Sequence, residues 1–85
     1  MHTVVLLAHA LKLAERLGYT LRQEWLQSGG GGCELRGRKY LFMDLAGSPN
    51  EQFESVIRVL RGEPRAAELS MPRELREVLG VRRSA

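Results

Sequence analysis

Between Lys39 and Leu45 four apolar residues follow one another: Tyr40, Leu41, Phe42 and Met43. Successive side chains of an extended chain point to opposite faces, so a strand with one wet face alternates polar and apolar residues. This stretch does not alternate. As a strand it requires cover on both sides, and the rest of an 85-residue chain must supply that cover.

Residues 3–17 have helical spacing. Val4, Leu7, Leu11 and Ala14 share one face on a 3.6-residue period, and Ala10, Leu13 and Leu17 widen it. His9, Lys12 and Arg16 lie opposite, and Gly18 is a natural stop. The apolar arc takes up about half the circumference, which is wide for a helix over a small sheet. Tyr19 to Gln27 then alternates as a first strand, with Tyr19, Leu21, Gln23 and Trp25 on one face. Ser28 and the glycines 29–32 end it. Cys33 to Arg36 is predicted to be a short second strand, turned at Gly37-Arg38 into a third strand from Lys39 to Leu45. Ser48-Pro49-Asn50-Glu51 is a helix start: a serine cap, proline at the first helical position and a glutamate placed for a capping box. The helix runs to about Arg61, with Phe53, Val56, Ile57 and Leu60 on one face. Gly62-Glu63-Pro64 ends it. A connector over 65–70 leads to a short helix from Pro72 to Leu79, closed by Gly80.

These elements predict one α+β domain: helix, three-stranded antiparallel meander, helix, plus a short C-terminal helix, with the two longer helices on the same face of the sheet. Residues 1–61 form the α-β-β-β-α core, 62–80 a connector and docking helix of the same domain, and 81–85 a loose tail.

Charge and composition narrow the chemistry. Thirteen basic residues, eleven of them arginine, stand against ten acidic ones. The cations are spread along the chain, and a net charge of +3 does not by itself point to nucleic acid. Cys33 is the only cysteine, so no disulfide forms within one chain, and an unpaired thiol suits a reducing, cytoplasmic setting. With only His2 and His9 beside it, no metal or other cofactor is expected. The opening residues lack the basic start and the apolar length of a signal peptide, and no stretch approaches the ~20 apolar residues that span a bilayer.

Four features could carry function. The glycine run could form an anion-binding nest, but phosphate loops lead from a strand into a helix, whereas this run joins two strands. Cys33 could act as a nucleophile with His9 as its base. Free cysteine is more often buried, and a place in the core is expected. Arg36, Arg38 and Lys39 make a basic hairpin tip that Arg22 could support in contacting an anion or a nucleic-acid strand. The fourth is the doubly apolar third strand. If the helices cover one face, Leu41 and Met43 on the other need a partner, supplied by Met71, Leu75 and Leu79 of the last helix or by a second copy.

The order helix, three strands, helix resembles that of the double-stranded-RNA-binding domain. That family grips phosphates with cations at the start of its second helix, where this chain has Ser48, Pro49, Asn50 and Glu51. The stretch from Gly30 through Leu60 resembles small uncharacterised bacterial α-β-β-β-α proteins. It is a glycine-rich turn, a strand with Gly37, an apolar strand ending near Asp44, and a helix opened by Ser48-Pro49. The same stretch is similar to the sheet edge and active helix of zincin-like metallopeptidases, but residues 53–57 hold none of that helix's histidines. The expectation is a non-enzymatic bacterial interaction or assembly domain, homodimeric and without membrane attachment. The alternative is an anion- or nucleic-acid-binding module using the hairpin tip.

Overall fold

The computed structural model of the chain describes residues 2–25 and 30–80. Its elements are α1 (Thr3–Arg16), β1 (Tyr19–Glu24), β2 (Gly31–Leu35), β3 (Arg38–Asp44), α2 (Pro49–Arg61), a 3-10 turn (Pro64–Glu68) and α3 (Arg73–Leu79). The class is α+β as expected, each element lying within a few residues of its sequence-based position. The tail 81–85 and the first part of the glycine run lie outside the described residues.

Local chemistry explains the ends of the elements. At the start of α2, Ser48 Oγ accepts from the Glu51 N–H at 3.2 Å, and Glu51 Oε1 accepts from the Ser48 N–H at 3.1 Å. This capping box satisfies backbone donors that a helix start leaves free. The Ser48 N–H also holds the Glu51 carboxyl below the usual carboxylate range. Gln52 Nε2 donates to the Asp44 carbonyl at 2.8 Å and ties this turn of α2 to the end of β3. Gly80 closes α3 in the left-handed region at φ 72°.

The sheet corrects the expected meander. Its order is β1-β3-β2, with β1 parallel and β2 antiparallel to β3. A meander would put the glycine-bearing β2 in the middle. The central place goes to β3, the strand with apolar residues on both faces, where it hydrogen-bonds along both edges. β1 and β2 lie on opposite edges of β3, with Glu24 beside Asp44 and Gly31 beside Phe42, so β1 forms no hairpin with β2. The β2–β3 hairpin turns at Arg36-Gly37, one residue earlier than expected, because Leu35 pairs with Arg38. Both turn residues have positive φ, 52° and 78°, as a type I′ turn requires. The likeness to the RNA-binding domain therefore stops at element order.

α1 and α2 pack side by side on one face of the sheet. Leu41, Leu60, Leu75 and Val56 are the largest side chains wholly out of solvent. The core places Leu41 and Met43 against the helices, joined by Leu7, Leu13, Ile57 and Leu60. α3 contacts α1 and α2 rather than the far side of the sheet. The wide apolar arc of α1 is explained by this: it serves the sheet and α2 on one side and α3 on the other. Over the described residues no third layer covers the opposite face of the sheet.

Candidate functional site

Strand register defines what that open face presents. Tyr40 pairs with Thr20 and Cys33, and Phe42 with Arg22 and Gly31. Directly paired residues share a face, so Arg38, Tyr40, Phe42 and Asp44 of β3 point away from the helices, flanked by Thr20, Arg22 and Glu24 on β1 and by Cys33 and Leu35 on β2. Tyr40 and Phe42 are half-buried, their ring centroids 6.1 Å apart and their planes tilted by 31°. Leu35 is 59% exposed. Arg22 and Glu24 form an exposed ion pair at 3.2 Å. Arg22, Cys33, Leu35, Tyr40 and Phe42 line a shallow groove of about 190 Å³. Small-molecule pockets start near ~300 Å³, so the groove suits contact with another surface.

The other side of the same hairpin is closed by a polar latch. Tyr19 Oη donates to Glu63 Oε1 at 2.6 Å, and Lys39 Nζ donates to the same oxygen at 3.1 Å. Lys39 also lies 5.4 Å from the centroid of the Tyr19 ring. Burial, reinforced by Glu63, pushes the Tyr19 hydroxyl up to about 12. The Tyr19 hydrogen bond and then Lys39 hold Glu63 below the usual carboxylate range, against the opposing effect of burial. A phenol kept protonated beside a carboxylate kept ionised has no proton to exchange near neutrality. The trio fastens the start of β1 to the end of α2.

The structure divides the residues singled out in the sequence. Leu41, Met43, Leu75 and Leu79 are buried in the chain's own core, and Met71 is half-buried against it. Their partners are α1 and α2, because the helices cover the Leu41–Met43 face and leave the Tyr40–Phe42 face open. The basic tip is split: Arg38 and Arg22 reach the open face, Arg36 sits in the exposed turn, and Lys39 is held by Glu63 on the helix side. Cys33 is exposed rather than in the core, because its register with Tyr40 puts it on the uncovered face. Of the glycine run, Gly30 passes so close to β3 that a Cβ there would collide with the Phe42 carbonyl oxygen. A side chain at this position would not fit beside β3. His2 is the N-cap residue of α1 and His9 lies in its middle, and no group of three metal-ligating side chains occurs among the described residues.

The sequence places Tyr40 near the basic tip, but it gives the helix-covered face to Tyr40 and Phe42 and the open face to Leu41 and Met43, the reverse of what is observed. No signal in the sequence separates the two rows; the structure does so through Gly32. It pairs with Leu41, and a Cβ on it would press on the Val59 side chain at 3.2 Å, so the row containing Leu41 is the one approached by a helix. A second groove, of about 590 Å³, runs between α2 and α3 over Phe53, Ile57 and Val78, with Arg58 and Arg61 at its rim. Arg61 donates across it to the Val78 carbonyl at 2.8 Å, which joins the two helices. No family model, no curated protein and no solved structure matches the chain.

Proposed function

We propose that this chain is a non-catalytic assembly domain that binds a second copy of itself through the uncovered face of its sheet. The observation that carries the reading is the Tyr40–Phe42 pair, half-buried on the central strand with exposed Leu35 and Cys33 beside it and, among the described residues, no layer above. Apolar surface of this kind marks contact sites, and aromatic residues are enriched in them. A twofold dimer needs only one self-complementary patch.

The area places this contact in the weak, transient class. Three strands of this length give a footprint of about 14 by 20 Å, well short of the roughly 800 Å² per partner of a standard interface. The dimer is therefore weak, with dissociation in the micromolar range or above. The single exposed thiol fits a reducing, cytoplasmic setting, and no helix among the described residues is long and apolar enough to cross a membrane.

Sedimentation velocity over rising concentration tests the reading. The mean mass is expected to climb toward twice the chain mass, and Phe42→Glu is expected to hold it at one. A parent chain that stays monomeric up to millimolar concentration overturns the proposal.

A second reading has its own observation: Arg22 and Arg38 flank the two aromatic rings, as in sheets that stack single-stranded nucleic acid. Glu24 and Asp44 on the same face, and the retention of Lys39 by Glu63, weigh against it. Salt-sensitive anisotropy changes of a labelled single-stranded oligonucleotide, lost in Arg38→Glu, would favour it over self-assembly.

A further inference from the structure

Charge is not evenly distributed along the uncovered face. Arg38 stands at the hairpin end of β3, with Arg36 in the adjoining turn. Asp44 and Glu24, paired in register, stand at the other end, where Arg22 beside Phe42 pairs with Glu24 at 3.2 Å and leaves a net negative charge. Tyr40, Phe42 and Cys33 lie between, and Leu35 stands beside Arg38 at the hairpin end. The face thus has a basic end, an apolar middle and an acidic end.

Resting on the self-association proposed above, we infer that the two copies stack with their strands antiparallel. Their twofold axis lies in the interface and crosses the strands at the Leu21–Leu41–Gly32 row. Rotation about this axis keeps each strand over its own counterpart and reverses its direction. Tyr40 then lies over Phe42 of the second copy, and Arg38 over the acidic end formed by Asp44 and Glu24 of the second copy. The symmetry repeats the contact at the other end. Packed sheets lie about 10 Å apart, a gap that an arginine and a facing carboxylate bridge from opposite sides. The competing arrangement has its axis along the strands, lays β3 over β3, and sets Arg38 against Arg38 and Asp44 against Asp44. Like charges held face to face select against it. Arg38, Asp44 and Glu24 therefore set the orientation, while Tyr40 and Phe42 supply most of the contact.

A charge-reversal mixing experiment on the full chain tests this. Arg38→Glu alters an exposed side chain. Glu24→Lys combined with Asp44→Asn reverses the acidic end and keeps an acceptor for the Ala46 N–H, which Asp44 Oδ1 receives at 2.9 Å. Each variant alone is expected to dimerise at least about tenfold more weakly than the parent. An equimolar mixture is expected to regain parent-like affinity as a heterodimer. That mixed dimer pairs Glu at 38 with Lys at 24 on one side and keeps the native contact on the other. Thermal melting checks that each variant folds, and Glu24→Lys alone replaces the double variant if the latter does not. If the parent dimerises and Phe42→Glu abolishes it, yet the charge variants pair as the parent does or fail to recover on mixing, the antiparallel arrangement is wrong and self-association stands. If the parent is monomeric, both fall.

Discussion

At the scale of single residues, the latch of Tyr19, Lys39 and Glu63 makes stability depend on pH at both extremes. The Glu63 side chain is only 12% exposed, and its carboxyl is held below the ordinary range by the Tyr19 hydroxyl and then Lys39. The native state therefore binds fewer protons there than the unfolded chain. Its contribution is complete above the ordinary carboxylate range and disappears as pH falls through the lowered value. Tyr19 has the opposite sign. Its ordinary value of 10.0 rises to about 12 on folding, so its contribution is complete below pH 10.0 and disappears as pH climbs toward about 12. Urea midpoints of the parent are expected to fall at both ends. Tyr19→Phe should remove the alkaline loss and lessen the acid one, because it deletes the hydroxyl that Glu63 accepts from. If the acid loss of Tyr19→Phe equals that of the parent, the latch does not hold Glu63 as described. Arg36 is a second residue with a local cost: a non-glycine side chain at φ 52° is tolerated because the type I′ turn needs positive φ at both positions.

At the scale of elements, β3 determines the fold, and its two faces make different demands. Leu41 is wholly buried between β1 and β2 and beneath the helices, whereas Phe42 is only half-buried on the open side. Leu41→Ala should cost about 2–5 kcal/mol through lost burial and a residual cavity. Phe42→Thr, measured in dilute solution, should cost no more than about 1.5 kcal/mol, because it removes a cross-strand contact and keeps a β-branched residue in the strand. Leu41→Pro should abolish folding, since it also breaks a ladder bond in a central strand. A larger cost at position 42 than at 41 would mean the faces are assigned the wrong way round, and equal costs that both are covered. Much of this was legible in the sequence. Ser48 to Glu51 encodes its cap in four consecutive residues, and the apolar spacing of α1 and α2 marks their buried sides. The strand order was not legible, because hydrophobic alternation fixes a strand's faces but not its neighbours. A run that is apolar on both sides, such as Tyr40 to Met43, leaves even the buried face undecided until Gly32 and Val59 are seen in contact.

At the scale of the whole molecule, one helical layer covers one sheet face. The Cα atoms extend only 16 Å in the shortest direction against 41 and 33 Å in the others. A thin slab of this kind leaves its second sheet face to solvent or to another molecule. Folding and assembly are then linked by mass action, because a dimer of folded chains draws chains out of the unfolded state. Above the dissociation constant, each tenfold rise in concentration adds about 0.7 kcal/mol of stability per chain, half of the dimer's 1.4 kcal/mol, which for a domain of this size raises the melting midpoint by about 3–5 °C. Phe42→Glu should melt at the same temperature at every concentration. Cys33 provides an independent reading of the same equilibrium, because its exposed thiol lies on the face that the dimer covers. Its reaction with a soluble aromatic disulfide should slow as the parent is concentrated and stay fast in Phe42→Glu. A parent whose midpoint rises with concentration while its thiol reacts at a constant rate would be pairing through some other surface. The α2–α3 groove over Phe53 and Val78 would then be the next place to introduce a charge.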